Sequence, residues 1–253
     1  MTRHAAIADR HPACDRHTAA GALGPEPKKP ATAPAVGPTK KAMIRNSLLL
    51  VAVGAMSLAA CGGDDIDSDE EARRAYFGID QSIEKSLALG FAGFNAASSA
   101  NIPPQMATGT VGGTLTITGQ VDQGSSANKG MRLRVGMVDY SDGELVIEDA
   151  EGKETIDVDI TYNTSADATL QPLLDLKLMS IPNGTFNGTL TGTYTMKGDI
   201  KGDATVNLMF SGMLMPDPAA PSDPTQTVRK PGSTTVTGTA QSGDGTYDVN
   251  LTI

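Results

Sequence analysis

Residues 185–212 read TFNGTLTGTYTMKGDIKGDATVNLMFSG. In the first half Phe186, Leu190, Tyr194 and Met196 share one parity with Gly188 and Gly192, and the other parity is almost all Thr. Beyond Lys197-Gly198 the alternation resumes with Ile200, Ala204, Val206, Leu208 and Phe210, with Gly202 and Gly212 among them. Successive side chains of a strand point to opposite faces, so this period of two, with β-branched Thr opposite the apolar set, describes two half-buried strands. A turn about Lys197-Gly198 makes them one long antiparallel hairpin. Glycines between large residues on the apolar face permit sharp curvature or close approach of another backbone, here expected to be a helix.

The same period extends outward from this hairpin. Leu115, Ile117 and Val121 alternate with Thr114, Thr116 and Thr118; Met131, Leu133, Val135 and Met137 with Arg132 and Arg134; Ile156, Val158 and Ile160 with Asp157, Asp159 and Thr161. Val236 and then Tyr247, Val249, Leu251 and Ile253 complete the set. Turn residues stand at Ser141-Asp142-Gly143, Glu151-Gly152 and Gly243-Asp244-Gly245. Short turns join antiparallel neighbours, so residues 110–253 are expected to form a meander of about eight or nine strands. A loop with five prolines at 216–232 interrupts it before the last hairpin. The expected fold is mainly β, an N-terminal helix followed by a strongly curved sheet or partly open barrel, with a β-sandwich as the alternative.

The helix is read over residues 68–100. Ser68 with Glu71 forms a capping box, and Asp69, Glu70 and Glu71 suit the positive end of the helix dipole. Tyr76, Ile79, Ile83, Leu87, Phe91 and Phe94 recur at three and four, which lays one apolar stripe along it for the sheet to cover. Gly90 and Gly93 weaken the last turns, and Pro103-Pro104 forbids continuation.

Upstream lies a segment of another kind. Lys40, Lys41 and Arg45 precede an apolar run from Leu48 to Leu58 that ends in Leu58-Ala59-Ala60-Cys61, followed at once by Gly62-Gly63-Asp64-Asp65. A basic start, an apolar run shorter than the ~20 residues needed to span a bilayer, and small residues at its end describe an export signal. Leu58, Ala59, Ala60 and Cys61 resemble the lipobox of bacterial lipoproteins, and the resemblance covers residues 43–61. It implies signal-peptidase cleavage before Cys61, a thioether-linked diacylglycerol on its thiol, and an amide-linked fatty acid such as palmitate on the new amino terminus. It further implies attachment to a membrane of the cell envelope. Gly62 in place of Asp implies sorting to the outer membrane, on its periplasmic or surface face. Two or more acyl chains suffice for firm anchoring, at ~0.8 kcal/mol per buried methylene. An ordinary cleaved signal with a chance Cys, or an uncleaved short helix, is the alternative. Residues 43–60 are thus the signal peptide and 61–67 a short acidic tether. Residues 1–42, rich in Ala and Pro with no apolar period, are expected either to lie upstream of a true start at Met43 or to leave with the signal.

Composition narrows the chemistry. Residues 1–60 hold eight of the 20 Lys and Arg and three of the 29 Asp and Glu, so residues 61–253 keep 12 basic against 26 acidic side chains, a formal charge of −14. Such a domain repels nucleic acid and anionic lipid. All three His (His4, His11, His17) and Cys14 precede Met43, and the chain has no Trp. Ser-His-Asp and Cys-His catalysis and His-ligated zinc or haem are therefore closed to residues 62–253. With no disulfide partner for a lipidated Cys61, stability must come from packing. Paired carboxylates remain, but glycosidase sites usually add aromatic platforms, and this chain offers five Tyr and five Phe.

Two patterns bear on metals. Asp65, Asp67 and Asp69 match the first acids of a calcium loop, but Glu70 stands where Gly is required and Tyr76 where Glu is required, so a solvated tether is expected. Met209, Met213 and Met215 could offer thioethers to Cu(I), although Met on the nominally polar parity more simply signals a strand end covered on both faces by the 216–232 loop. No cofactor and no catalytic residue is expected. The expected function is that of a lipid-anchored envelope lipoprotein. Its β domain acts as a structural or interaction module toward an envelope protein or cell-wall component. A periplasmic carrier of a lipid or other hydrophobic ligand is the alternative, on architecture alone, and an outer-membrane β-barrel comes third.

Overall fold

The computed structural model describes residues 65–148, 153–223, 226–243 and 245–253. One helix, α1 (Asp69–Ala96), is followed by β1 (Asn101–Thr108), β2 (Gly112–Val121), β3 (Lys129–Ser141), β4 (Glu144–Glu148), β5 (Lys153–Asp157) and β6 (Ile160–Asn163). Then come β7 (Leu173–Met179), β8 (Thr185–Gly198), β9 (Gly202–Pro216), β10 (Thr227–Arg229), β11 (Thr235–Ser242) and β12 (Gly245–Thr252). Ten strands form one antiparallel sheet in the order β1-β2-β3-β6-β8-β9-β11-β12. β6 and β7 share the place between β3 and β8, and β10 continues the line of β11 along β9. β4 and β5 make a separate hairpin. The meander is therefore real, curled part of the way into a ring without closing as a barrel, and it is a single main sheet rather than a sandwich.

The helix fills the curl. It packs against β1, β2 and β3 at one end of the strand order and against β10 and β12 at the other. The expected stripe is buried from Tyr76 to Phe91, and Phe94 is half-buried under the Lys129 ammonium, 4.4 Å from its ring centre. The buried arc is wider than the stripe, because Ala72, Ala75, Gly78, Ser82, Ser86, Gly90 and Gly93 are buried too. Ser82 and Ser86 satisfy their hydroxyls on the helix's own carbonyls, at Ile79 and Ser82. At the N-terminus the Ser68 hydroxyl accepts from the Glu71 amide, as the capping box requires. The other half of the box is shifted by one residue, for Glu71 accepts from the Asp67 amide rather than from that of Ser68.

Under the helix lie the alternating residues of the long hairpin. Phe186, Leu190, Tyr194, Met196, Ile200, Ala204, Leu208 and Phe210 are all buried, and Thr189, Thr191, Thr193 and Thr195 face outward. Its register runs from Thr185↔Met213 to Met196↔Gly202, so the turn is centred on Asp199 rather than on Lys197-Gly198.

Several expectations need correction. Residues 101–109, outside the spans expected for the helix and for the sheet, contain β1, in which Pro103 and Pro104 sit on an edge strand where a missing amide hydrogen is tolerated, beside a register shift between Ile102 and Gln105. Gly90 and Gly93, expected only to weaken the last turns, are contact points in a helix that runs to Ala96. A Cβ on Gly90 would stand 2.8 Å from Met131 Sδ, and one on Gly93 2.8 Å from Ile102 Cδ1. Conversely, the strand glycines expected to admit the helix admit other things: Gly188 is approached by the Asp175 carbonyl, and Gly192, at φ +146°, by Pro172. The run 156–161 is broken after Asp157, where Val158 donates to the Gly143 carbonyl before β6 begins. The tether read at 61–67 joins the body earlier than expected, since Ile66 is 2% exposed in the core beside Ala72, Tyr76 and Tyr194.

Candidate functional site

The feature with the most concentrated chemistry is a residue from the proline-rich loop. Segment 216–232 is not a plain loop: residues Thr227–Arg229 form β10, with Val228 opposite Met215 and Arg229 opposite Leu214. This places the Arg229 side chain against the middle of α1. Its guanidinium makes a fork to Asp80, Nη1 donating to Oδ1 at 2.9 Å and Nη2 to Oδ2 at 2.8 Å, while Nε donates to Glu84 Oε2 at 2.8 Å. The Tyr76 hydroxyl donates to Asp80 Oδ1 at 2.5 Å. The side chains of Arg229 and Asp80 are 12% and 4% exposed, so this is an interior ion cluster. Asp80 and Glu84 lie one turn apart on α1, which is why one planar guanidinium can serve both.

Burial and the neighbouring Asp80 carboxylate push the Tyr76 hydroxyl well above its usual range. Burial also raises Glu84, and its bonds to Arg229 do not fully offset that. The Arg229 guanidinium loses solvation on burial, but the Asp80 carboxylate outweighs this and holds it firmly protonated. Both Asp80 oxygens are engaged, Oδ1 by Arg229 Nη1 and the Tyr76 hydroxyl and Oδ2 by Arg229 Nη2.

Beside it opens a cleft of about 320 Å³, lined by Leu145, Val146, Val228, Pro231 and Ile253 on its apolar side and by Glu84, Arg229 and Lys230 on its polar side. That is near the lower end of the range for small-molecule sites.

A second interior cluster ties α1 to the other side of the sheet. Asp142, just beyond the end of β3, accepts from the Lys85 ammonium, the Tyr140 hydroxyl, and the amide and hydroxyl of Thr110 at 2.9 and 3.0 Å. Burial alone would raise its carboxyl, but these donors, Lys85 foremost, hold it below the usual range. The sign for stability follows: Asp142 contributes above pH ~4, the carboxyl's unfolded value, and that contribution is lost as pH falls toward its lower folded value. Glu84 acts oppositely, its raised folded value making stability decline as pH rises above ~4.3. Urea midpoints measured from pH 7 to pH 2 should therefore fall less steeply for Asp142→Asn than for the wild type, from a lower starting value. Parallel acid limbs would contradict this assignment.

The candidates read from the sequence are distributed differently. Cys61 and the recognition residues Leu58, Ala59 and Ala60 lie outside the described residues. Asp65, Asp67 and Asp69 are exposed and do not converge; Asp69 Oδ1 instead accepts from the Asp248 amide at 2.8 Å. Met209 and Met213 are 57% and 47% exposed, which corrects the expectation that the strand end is covered on both faces. Four residues of strand separate them by ~13 Å, too far for one thioether site. Neither ionic cluster is foreseen by the sequence reading. An Arg in a proline-rich segment carries no period, and the only available signal is that Asp80 and Glu84 lie among the apolar positions of a stripe.

No protein-family model matches the chain, and neither a curated protein nor a solved structure matches it.

Proposed function

We propose that this protein is a lipid-anchored lipoprotein of the bacterial cell envelope, held at the outer membrane through Cys61. Its β domain is a non-catalytic structural or interaction module. The observation that carries the anchor is Leu58-Ala59-Ala60-Cys61 at the end of a short apolar run with a basic start. Support for a module over a carrier comes from the interior. The gap lined by Ile66, Tyr76, Tyr162, Tyr194, Leu208 and Val249 is about 10 Å³, room for one water at most and none for an acyl chain. Support for a module over a membrane-spanning barrel comes from the outward faces of β8 and β9. There Thr189, Thr191, Thr193, Thr195, Asp203 and Thr205 stand where a spanning barrel needs an apolar band. The open cleft of about 320 Å³ beside Arg229 has room for a small partner group.

The anchor is tested by growing a bacterium that expresses the chain with a radiolabelled or clickable palmitate. Label should enter the wild type, and Cys61→Ser should lose both the label and retention in the membrane fraction. A wild-type chain without label would refute the lipoprotein reading.

A further inference from the structure

Resting on that reading, we propose that the anchor holds one end of the domain at the membrane surface. The end of the fold that carries the α1 N-terminus and the β8–β9 and β11–β12 turns lies against the headgroups, and the β2–β3 loop points away. The tether sets this. Ile66 is locked in the core, and the next residues are fastened by the Ser68 cap, by the Glu71 bond to the Asp67 amide, and by Asp69 on the Asp248 amide. Only five residue steps separate Cys61 from Ile66, and five steps reach at most ~18 Å when fully extended. The headgroup layer takes up ~5–7 Å of that reach, so the root of the domain stays within a Debye length or two of the surface.

Which residues share that root is visible in the contacts. Arg74 bonds Asp199 in the β8–β9 turn at 2.5 Å, and Gly243 in the β11–β12 turn lies beside the Asp65 carboxylate. At the other end of α1, Phe94 lies under Lys129, whose ammonium also reaches the Gly124 carbonyl in the β2–β3 loop. A helix of 28 residues separates the two ends by ~42 Å.

The experiment places a fluorophore on the acylated, full-length mature protein in phosphatidylethanolamine–phosphatidylglycerol vesicles carrying an acceptor lipid. Labels go on Lys197→Cys at the proposed proximal end and Ala127→Cys at the distal end, both exposed positions. Energy transfer to the bilayer should be several-fold stronger from position 197. Insertion of 20 Gly/Ser residues after Gly63, which adds a coil of ~25 Å, should erase most of that contrast. Equal or reversed transfer, or a contrast indifferent to tether length, overturns the proposal. Mass spectrometry of the Cys61 peptide from the same preparation separates this from failure of the anchor: an unacylated peptide overturns the lipoprotein reading itself, whatever the transfer shows.

Discussion

Arg229→Ala is expected to cost about 3–5 kcal/mol of folding stability, the usual range for removing one partner of a buried ion pair. The cost is not the loss of a contact so much as what is left behind. Asp80 is 4% exposed and would be left in the interior with only the Tyr76 hydroxyl as a partner, while Glu84 would lose its donor at Nε. At ~2–4 °C per kcal/mol for a domain of this size, the melting temperature should drop by roughly 10 °C or more. The double variant Arg229→Met, Asp80→Leu should recover much of the loss, because a buried ion pair replaced by apolar groups of similar volume is often neutral. Thermal melts of the single and double variants check both statements. A melting temperature unchanged in Arg229→Ala would mean that the strap carrying β10 is not docked on α1 in solution.

Gly78→Leu is expected to destabilise by about 3 kcal/mol, at the upper end for overpacking, although Leu is the better helix former by close to ~1 kcal/mol. A Cβ on Gly78 would overlap the hydroxyl oxygen of Tyr162, which donates to the Ala75 carbonyl at 2.8 Å from β6. Tyr162 cannot swing away, because it is 1% exposed and stacked edge-on against Tyr194 with ring centres 6.3 Å apart. Local propensity and tertiary packing thus pull in opposite directions, and the sign of the measured change decides between them. Chemical denaturation of this variant beside Ala88→Leu, at an exposed position of the same helix, is the check. A gain at Gly78 with Ala88→Leu near neutral would place the helix outside the sheet's curl.

Much of this architecture is legible because it depends on period. The stripe from Tyr76 to Phe91 and the alternation through Phe186–Met196 and Ala204–Phe210 each repeat one rule often enough to outweigh local noise. β7 carries the same signal, with Leu174, Leu176 and Leu178 alternating with Asp175 and Lys177. It escapes the strand reading above all the same, and its sharing of one place in the sheet with β6 has no sign in the sequence at all. β1 is hidden by Pro103-Pro104, which argue against a strand unless its place at the sheet edge is known. The hairpin turn falls about one and a half residues from its expected place, because Gly198 and Gly202 both adopt positive φ and either could be the apex.

The candidate site is the least legible part. Asp80, Glu84 and Arg229 are separated by as many as 149 residues, and nothing near Arg229 announces that its strand will turn inward onto the helix. Asp142 likewise reads as a turn residue and proves to be a buried acceptor for Lys85 and Tyr140. Residue type and spacing along the chain are enough for the period of the long elements and the capped start of the helix. They are not enough to say that the helix fills the curl of the sheet, that its glycines are contact points rather than weak turns, or that two ionic clusters fasten it there. Those outcomes depend on which distant backbones can approach closely, and that distance is not written in any local run of residues.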